Sequence, residues 1–185
     1  MKPDSQSKSF KKVTVTSLMV LIGLCFLSSC TNIYYENPQP AGQENMDEFP
    51  KKLLGTYVDY EDGDTVIVVY SDGFSLNLNE NDVKIPLSEK TVLRKYKAYY
   101  FLSLQQEETN LWTVYIVKPG KKKTLDLYDI STEEGPMEQL RAITEVKEYD
   151  QDQEKSYTMY INPNLAEMDQ IIKSGLLQPT QKLKK

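Results

Sequence analysis

Histidine is absent from the 185-residue chain. That absence excludes Ser-His-Asp and Cys-His catalysis, zinc sites built on imidazole and imidazole-based pH switching. Cysteine is scarce, with only Cys25 and Cys30. Both stand near the N-terminus, so no disulfide framework supports the remainder, which must be held by packing. Positive charge is in deficit. Lys and Arg number 22 against 27 Asp and Glu, a net charge of −5. Such a chain repels phosphate backbones, which argues against nucleic-acid binding. Long hydrophobic runs are missing too, since a membrane-spanning helix needs roughly 20 apolar residues. The longest candidate, Val13 to Leu27, falls short and is broken by Thr14, Thr16, Ser17 and Gly23.

What is present begins with that short run. Lys2, Lys8, Lys11 and Lys12 precede it, giving the positive and apolar regions of a secretory signal. An ordinary cleavage site carries small residues at −3 and −1. With Cys30 at +1, position −3 is Leu27, too large for that pattern. Leu27-Ser28-Ser29-Cys30 instead resembles the lipobox of bacterial lipoproteins. The resemblance implies a diacylglycerol on the Cys30 thiol, removal of residues 1–29 and acylation of the new amino group. Two or more acyl chains anchor firmly where one holds only marginally. Thr31 at +2 is not the Asp that retains such proteins in the inner membrane, so the resemblance points to the outer membrane.

Residues 30–50 read as the lipidated Cys and a flexible tether, with Pro38, Pro40, Gly42 and Pro50 among polar residues. Residues 51–177 read as a single β-rich domain of adequate length for a core. Leu54 to Val58 and Thr65 to Tyr70 are apolar strand candidates around the Glu61-Asp62-Gly63-Asp64 turn. Phe74, Leu76 and Leu78 alternate with Ser75, Asn77 and Asn79. Val83, Ile85 and Leu87 continue the period, with Pro86 marking an edge or an end. Tyr100, Leu102 and Leu104 share one face, and Asn110 to Val117 and Leu125 to Ile130 alternate similarly. The spacing predicts a mainly β fold, an antiparallel meander forming a sandwich or a lipocalin-like barrel.

Two helices interrupt this pattern. A short one is expected near 133–141, capped by Ser131 or Thr132 and carrying Met137 and Leu140. Ala142 to Tyr149 and Ser156 to Ile161 read as a hairpin. A closing helix is expected near 163–174, with Asn162 as cap, Pro163 at its first position and Gly175 as its stop. Leu165, Met168, Ile171 and Ile172 fall on one of its faces. Residues 178–185 read as a basic tail.

No catalytic or metal-ligating set stands out, and no cofactor is implied. Asp59, Glu61, Asp62 and Asp64 crowd one turn, but a calcium loop with Gly63 at its sixth position would begin at Val58, which cannot ligate. Ser-x-x-Lys occurs at Ser5–Lys8 and Ser9–Lys12, both within the removed signal. The 13 tyrosines and Trp112 all follow Cys30. They suit half-buried strand positions, while exposed rings could line a sugar or a partner. Leu54-Gly55-Thr56-Tyr57 resembles the G-x-W of the first lipocalin strand, with Tyr replacing Trp.

The whole layout resembles the small outer-membrane lipoproteins of Bacteroidota-type envelopes. It points to a lipid-anchored, non-enzymatic binding or interaction module with no defined specific role. The membrane is one partner, through Cys30, and an envelope protein, a glycan or a lipid ligand is another. The alternatives are a carboxylate-based hydrolase and a small-ligand carrier with a barrel pocket.

Overall fold

One strand, β8 (Trp112–Pro119), separates the interior into two cores. Its side chains alternate across the pleat. Trp112, Val114 and Ile116 enter one core, while Val117 packs against the other. The computed structural model describes residues 32–59, 66–78, 81–150 and 157–185. The lipobox Leu27-Ser28-Ser29-Cys30, the Glu61–Asp64 turn and Asn79–Glu80 lie outside the described residues.

The fold is mainly β, twelve described strands in one mixed sheet with two α-helices. On one edge of β8 lies β7 (Tyr99–Gln105), followed by β6 (Thr91–Tyr96). Its other edge is shared. β9 (Thr124–Ile130) pairs along Ile116 to Pro119, and β1 (Asn32–Tyr35) pairs through the single register Tyr35 to Trp112. Beyond β9 come β12 (Leu177–Lys184), β2 (Gly55–Asp59), β3 (Val66–Val69), β4 (Gly73–Leu78) and β5 (Asn81–Pro86). Beyond β1 come β11 (Tyr157–Ile161) and β10 (Val146–Asp150).

Among the described residues the sheet does not close, because β5 and β6 do not pair with each other. The barrel alternative thus gives way to an open, curled sheet. The meander is antiparallel except where β1 runs parallel to β11.

The cores follow the alternation. Phe101, Trp112, Ile116 and Ile130 pack under the helices with Leu140, Met168 and Ile171. Tyr57, Phe74, Leu93, Leu125 and Leu183 form the second core inside the curl. Fully burying one such side chain contributes about 1.5–3 kcal/mol. Residues Thr31–Lys185 form a compact unit that contains both cores.

α1 (Glu134–Ile143) buries Met137 and Leu140, matching the expected short helix. Its N-cap is Glu133, with no side-chain cap bond, so neither Ser131 nor Thr132 takes that place. α2 (Leu165–Ser174) buries Met168 and Ile171. Its cap is Asn164 rather than Asn162. The Asn164 side chain accepts from the Ala166 and Glu167 amides, and Glu167 returns a bond to the Asn164 amide. That reciprocal pair satisfies more orphan donors than a cap at Asn162 could. Asn162 instead accepts from Asn37 Nδ2 at 3.1 Å. Gly175 ends the helix at φ 78°, the left-handed conformation that glycine adopts without strain.

Both ends of the described chain pack where the sequence suggested loose segments. The stretch expected as a tether contains β1, with Tyr35 buried at 2 % exposure. Arg94 holds the following turn, donating to the Pro38 and Pro40 carbonyls and to Asn45 Oδ1. Phe49 completes the anchoring in the second core. The stretch expected as a basic tail is β12. It is zipped between β9 and β2, with Leu183 at 1 % exposure and its lysines on the outer face. Pro179 is accommodated by a register shift between Pro179 and Gln181.

Candidate functional site

The second core is incompletely filled. A cavity of about 250 Å³ opens inside the curl of the sheet. Ile67 and Leu76 line it from β3 and β4. Leu102 and Leu104 line it from β7, and Val117 and Leu127 from β8 and β9. These residues point inward because each occupies the same parity of its strand. Interiors ordinarily pack with few voids larger than a water molecule. An apolar cavity of roughly 150 Å³ stays dry and takes up benzene or xenon. The space here is larger, and among the described residues its wall includes no carboxylate, lysine or arginine.

Its polar groups gather at a few positions. Gln181 on β12 donates from Nε2 to the Asp59 carboxylate, tying β12 to the end of β2. Tyr115 is 45 % exposed, more open to solvent than any other large hydrophobic side chain among the described residues. Lys52 Nζ stands 5.0 Å from the Tyr100 ring centroid, a cation–π contact.

A second hollow of about 410 Å³ adjoins the first, with Tyr115, Leu127 and Gln181 lining both. It lies at the fork in the sheet. β8 meets β1 at Trp112 and β9 only from Ile116, so Thr113 to Tyr115 pair with neither on that edge. Tyr34, Tyr128, Asp129 and Thr180 also line this cleft. Asp129 is exposed as a residue, yet the surrounding wall desolvates its carboxyl and raises its pKa, against the bond it accepts from the Ile130 amide at 2.8 Å. Burial, then the negative charge of Asp129, pushes the Tyr35 phenol upward.

A third hollow, about 220 Å³, is polar and engaged with itself. Glu36 pairs with Lys147 at 2.7 Å, and Glu167 accepts from Thr144 Oγ1 at 3.0 Å while serving the α2 cap. Among the described residues no three His, Cys, Asp or Glu side chains are placed to hold a metal ion. Among them, too, no helix is long and apolar enough to cross a membrane.

Cys30, Leu27, Ser28 and Ser29 lie outside the described residues, so the structure brings none of them into a site. Asp59 is described, and its visible role is to receive Gln181. The pocket and cleft are assembled from residues that the sequence marks only as ordinary strand positions. Their one sequence signal is apolar alternation, which fixes the inward face but not how completely it is filled. No protein-family model, curated protein or solved structure matches the chain.

Proposed function

We propose that this chain is a lipid-anchored outer-membrane protein whose folded part is a non-enzymatic module that binds an apolar small ligand. One observation carries the binding reading: the open cavity of about 250 Å³, walled largely by aliphatic side chains and with no charged group among the described residues that line it. Ligand pockets are mostly apolar with a few fixed polar groups, and Gln181, Tyr100 and Tyr115 supply those here. A carboxylate hydrolase needs two acids facing one substrate. Among the described residues the cavity has none, and the adjoining cleft has Asp129 alone. The anchor rests on Leu27-Ser28-Ser29-Cys30 and the residues before it.

The compact unit from Thr31 onward tests the binding reading with N-phenyl-1-naphthylamine, a neutral dye that brightens in apolar surroundings. Saturable brightening is expected, and Leu102→Trp or Leu76→Trp, which add bulk from β7 and from β4, should abolish it. Folding of each variant is checked by circular dichroism. Unsaturable dye binding, or binding that survives both fillings, would reject the pocket. The anchor is tested separately by palmitate labelling and fractionation of Cys30→Ser in the full chain. Label and membrane retention should both be lost; their persistence would reject lipidation at Cys30.

A further inference from the structure

The pocket does not stand alone. Tyr115, Leu127 and Gln181 line both it and the cleft at the fork of the sheet. A ligand reaching across these three residues would place one part among aliphatic side chains and another beside Tyr34 and Asp129. The cleft exists because β8 leaves β1 at Trp112 before joining β9 at Ile116. It is therefore built into the sheet topology rather than into a loop.

The chemistry of the two parts differs. Among the described residues the pocket wall carries no charge. The cleft carries, among the described residues, one charged side chain, Asp129, and it is in no ion pair with another of them. Its recorded bond is to its neighbour's amide, Ile130 N, at 2.8 Å. Tyr34 and Tyr115 line the cleft with Asp129, and Tyr128, which also borders it, turns its ring to the first core. Tyr128 is held edge-on by Tyr99, with ring centroids 5.5 Å apart. Tyrosine rings present negative faces, and such faces attract cations, quaternary ammonium groups above all. A carboxylate without a cation, set among tyrosines, repels an anionic group and leaves a cationic one to complete it.

We infer that cleft and pocket together bind a single-chain amphiphile, its ammonium head between the tyrosines and Asp129 and its alkyl tail in the apolar pocket. The assignment rests on the pocket reading above and adds the class of head group. It also gives the exposure of Tyr115 a role, as the wall that head and tail share.

The test is displacement of bound N-phenyl-1-naphthylamine from the Thr31–Lys185 unit by three probes of one chain length. These are octyltrimethylammonium, octyl glucoside and octyl sulfate, each below its micelle concentration. Octyltrimethylammonium should displace the dye at about tenfold lower concentration than octyl glucoside, with octyl sulfate weakest. Asp129→Asn should erase the advantage of the ammonium probe over the glucoside, and Tyr115→Leu should reduce it. Each variant's thermal melt establishes that it is folded. Equal displacement by all three probes, or a preference for the glucoside that Asp129→Asn leaves untouched, would overturn the ammonium head while leaving the pocket intact. Failure of the dye to bind at all would overturn the pocket reading and this inference with it.

Discussion

The negative charge of Asp129 reaches the buried Tyr35 phenol near the sheet fork and adds to burial in pushing it upward. Asp129 is itself raised above 3.8 by desolvation. A carboxyl whose folded pKa is raised weakens the fold when ionised. The cost is present above the folded pKa and is relieved as the pH falls through it and below 3.8. Asp129→Asn should therefore raise the melting temperature at neutral pH and leave it nearly unchanged well below 3.8. Thermal melts across that range check the sign. A loss of stability at neutral pH would show that the carboxylate serves the fold rather than the cleft.

Ile171 faces the first core with 0 % exposure, whereas Gln170 beside it is exposed. Ile171→Ala should destabilise the unit by about 2–5 kcal/mol, a large share of the roughly 5–15 kcal/mol that holds a domain together. Gln170→Ala should remain within about 0.5 kcal/mol of the parent. Chemical denaturation of both variants is the measurement. Equal stability would mean that the α2 stripe faces outward in solution.

Shortening the chain at either end should damage it. A start at Pro50 discards Tyr35, the Arg94 partners and Phe49, leaving an aromatic vacancy in each core. Removal of residues 178–185 deletes most of β12 and exposes the facing edges of β9 and β2. Circular dichroism melts should show the Thr31 start cooperative and both shorter forms destabilised. A Pro50 start as stable as the Thr31 start would restore the flexible tether expected from composition.

Most strands of the meander and both helices are legible in the sequence because their apolar residues recur at periods of two and of three to four. Phe74 and Leu76, Leu102 and Leu104, and Met168 and Ile171 are examples. β6, with Val92 and Leu93 adjacent and Arg94 and Lys95 after them, lacks that alternation. β1 and β12 are not legible for a physical reason. β12 has few apolar residues and β1 is only four residues long, and both find their partners in distant segments. Leu183 is buried because β9 and β2 flank it, with partners 58 residues away in sequence at Leu125 and farther still at Asp59. Prolines 38, 40 and 179 read as breakers, yet Arg94 holds the first two through their carbonyls and a register shift absorbs the third. The helix start illustrates the same limit at short range. Asn162 and Asn164 both suit a cap, and the choice falls to Glu167, which completes the capping box only with Asn164. The cavity is illegible because alternation tells which way Leu76 and Leu102 point, not whether the space between them is filled.

Xenon is the most direct probe of that space, since a dry apolar cavity admits it. The measurement is anomalous diffraction from crystals of the Thr31–Lys185 unit held under xenon pressure. A xenon peak among Leu76, Leu102 and Leu127 is the expected result, with none inside the first core under the helices. Side chains collapsed into that space, with no xenon among them, would contradict a ligand pocket in the curl of the sheet.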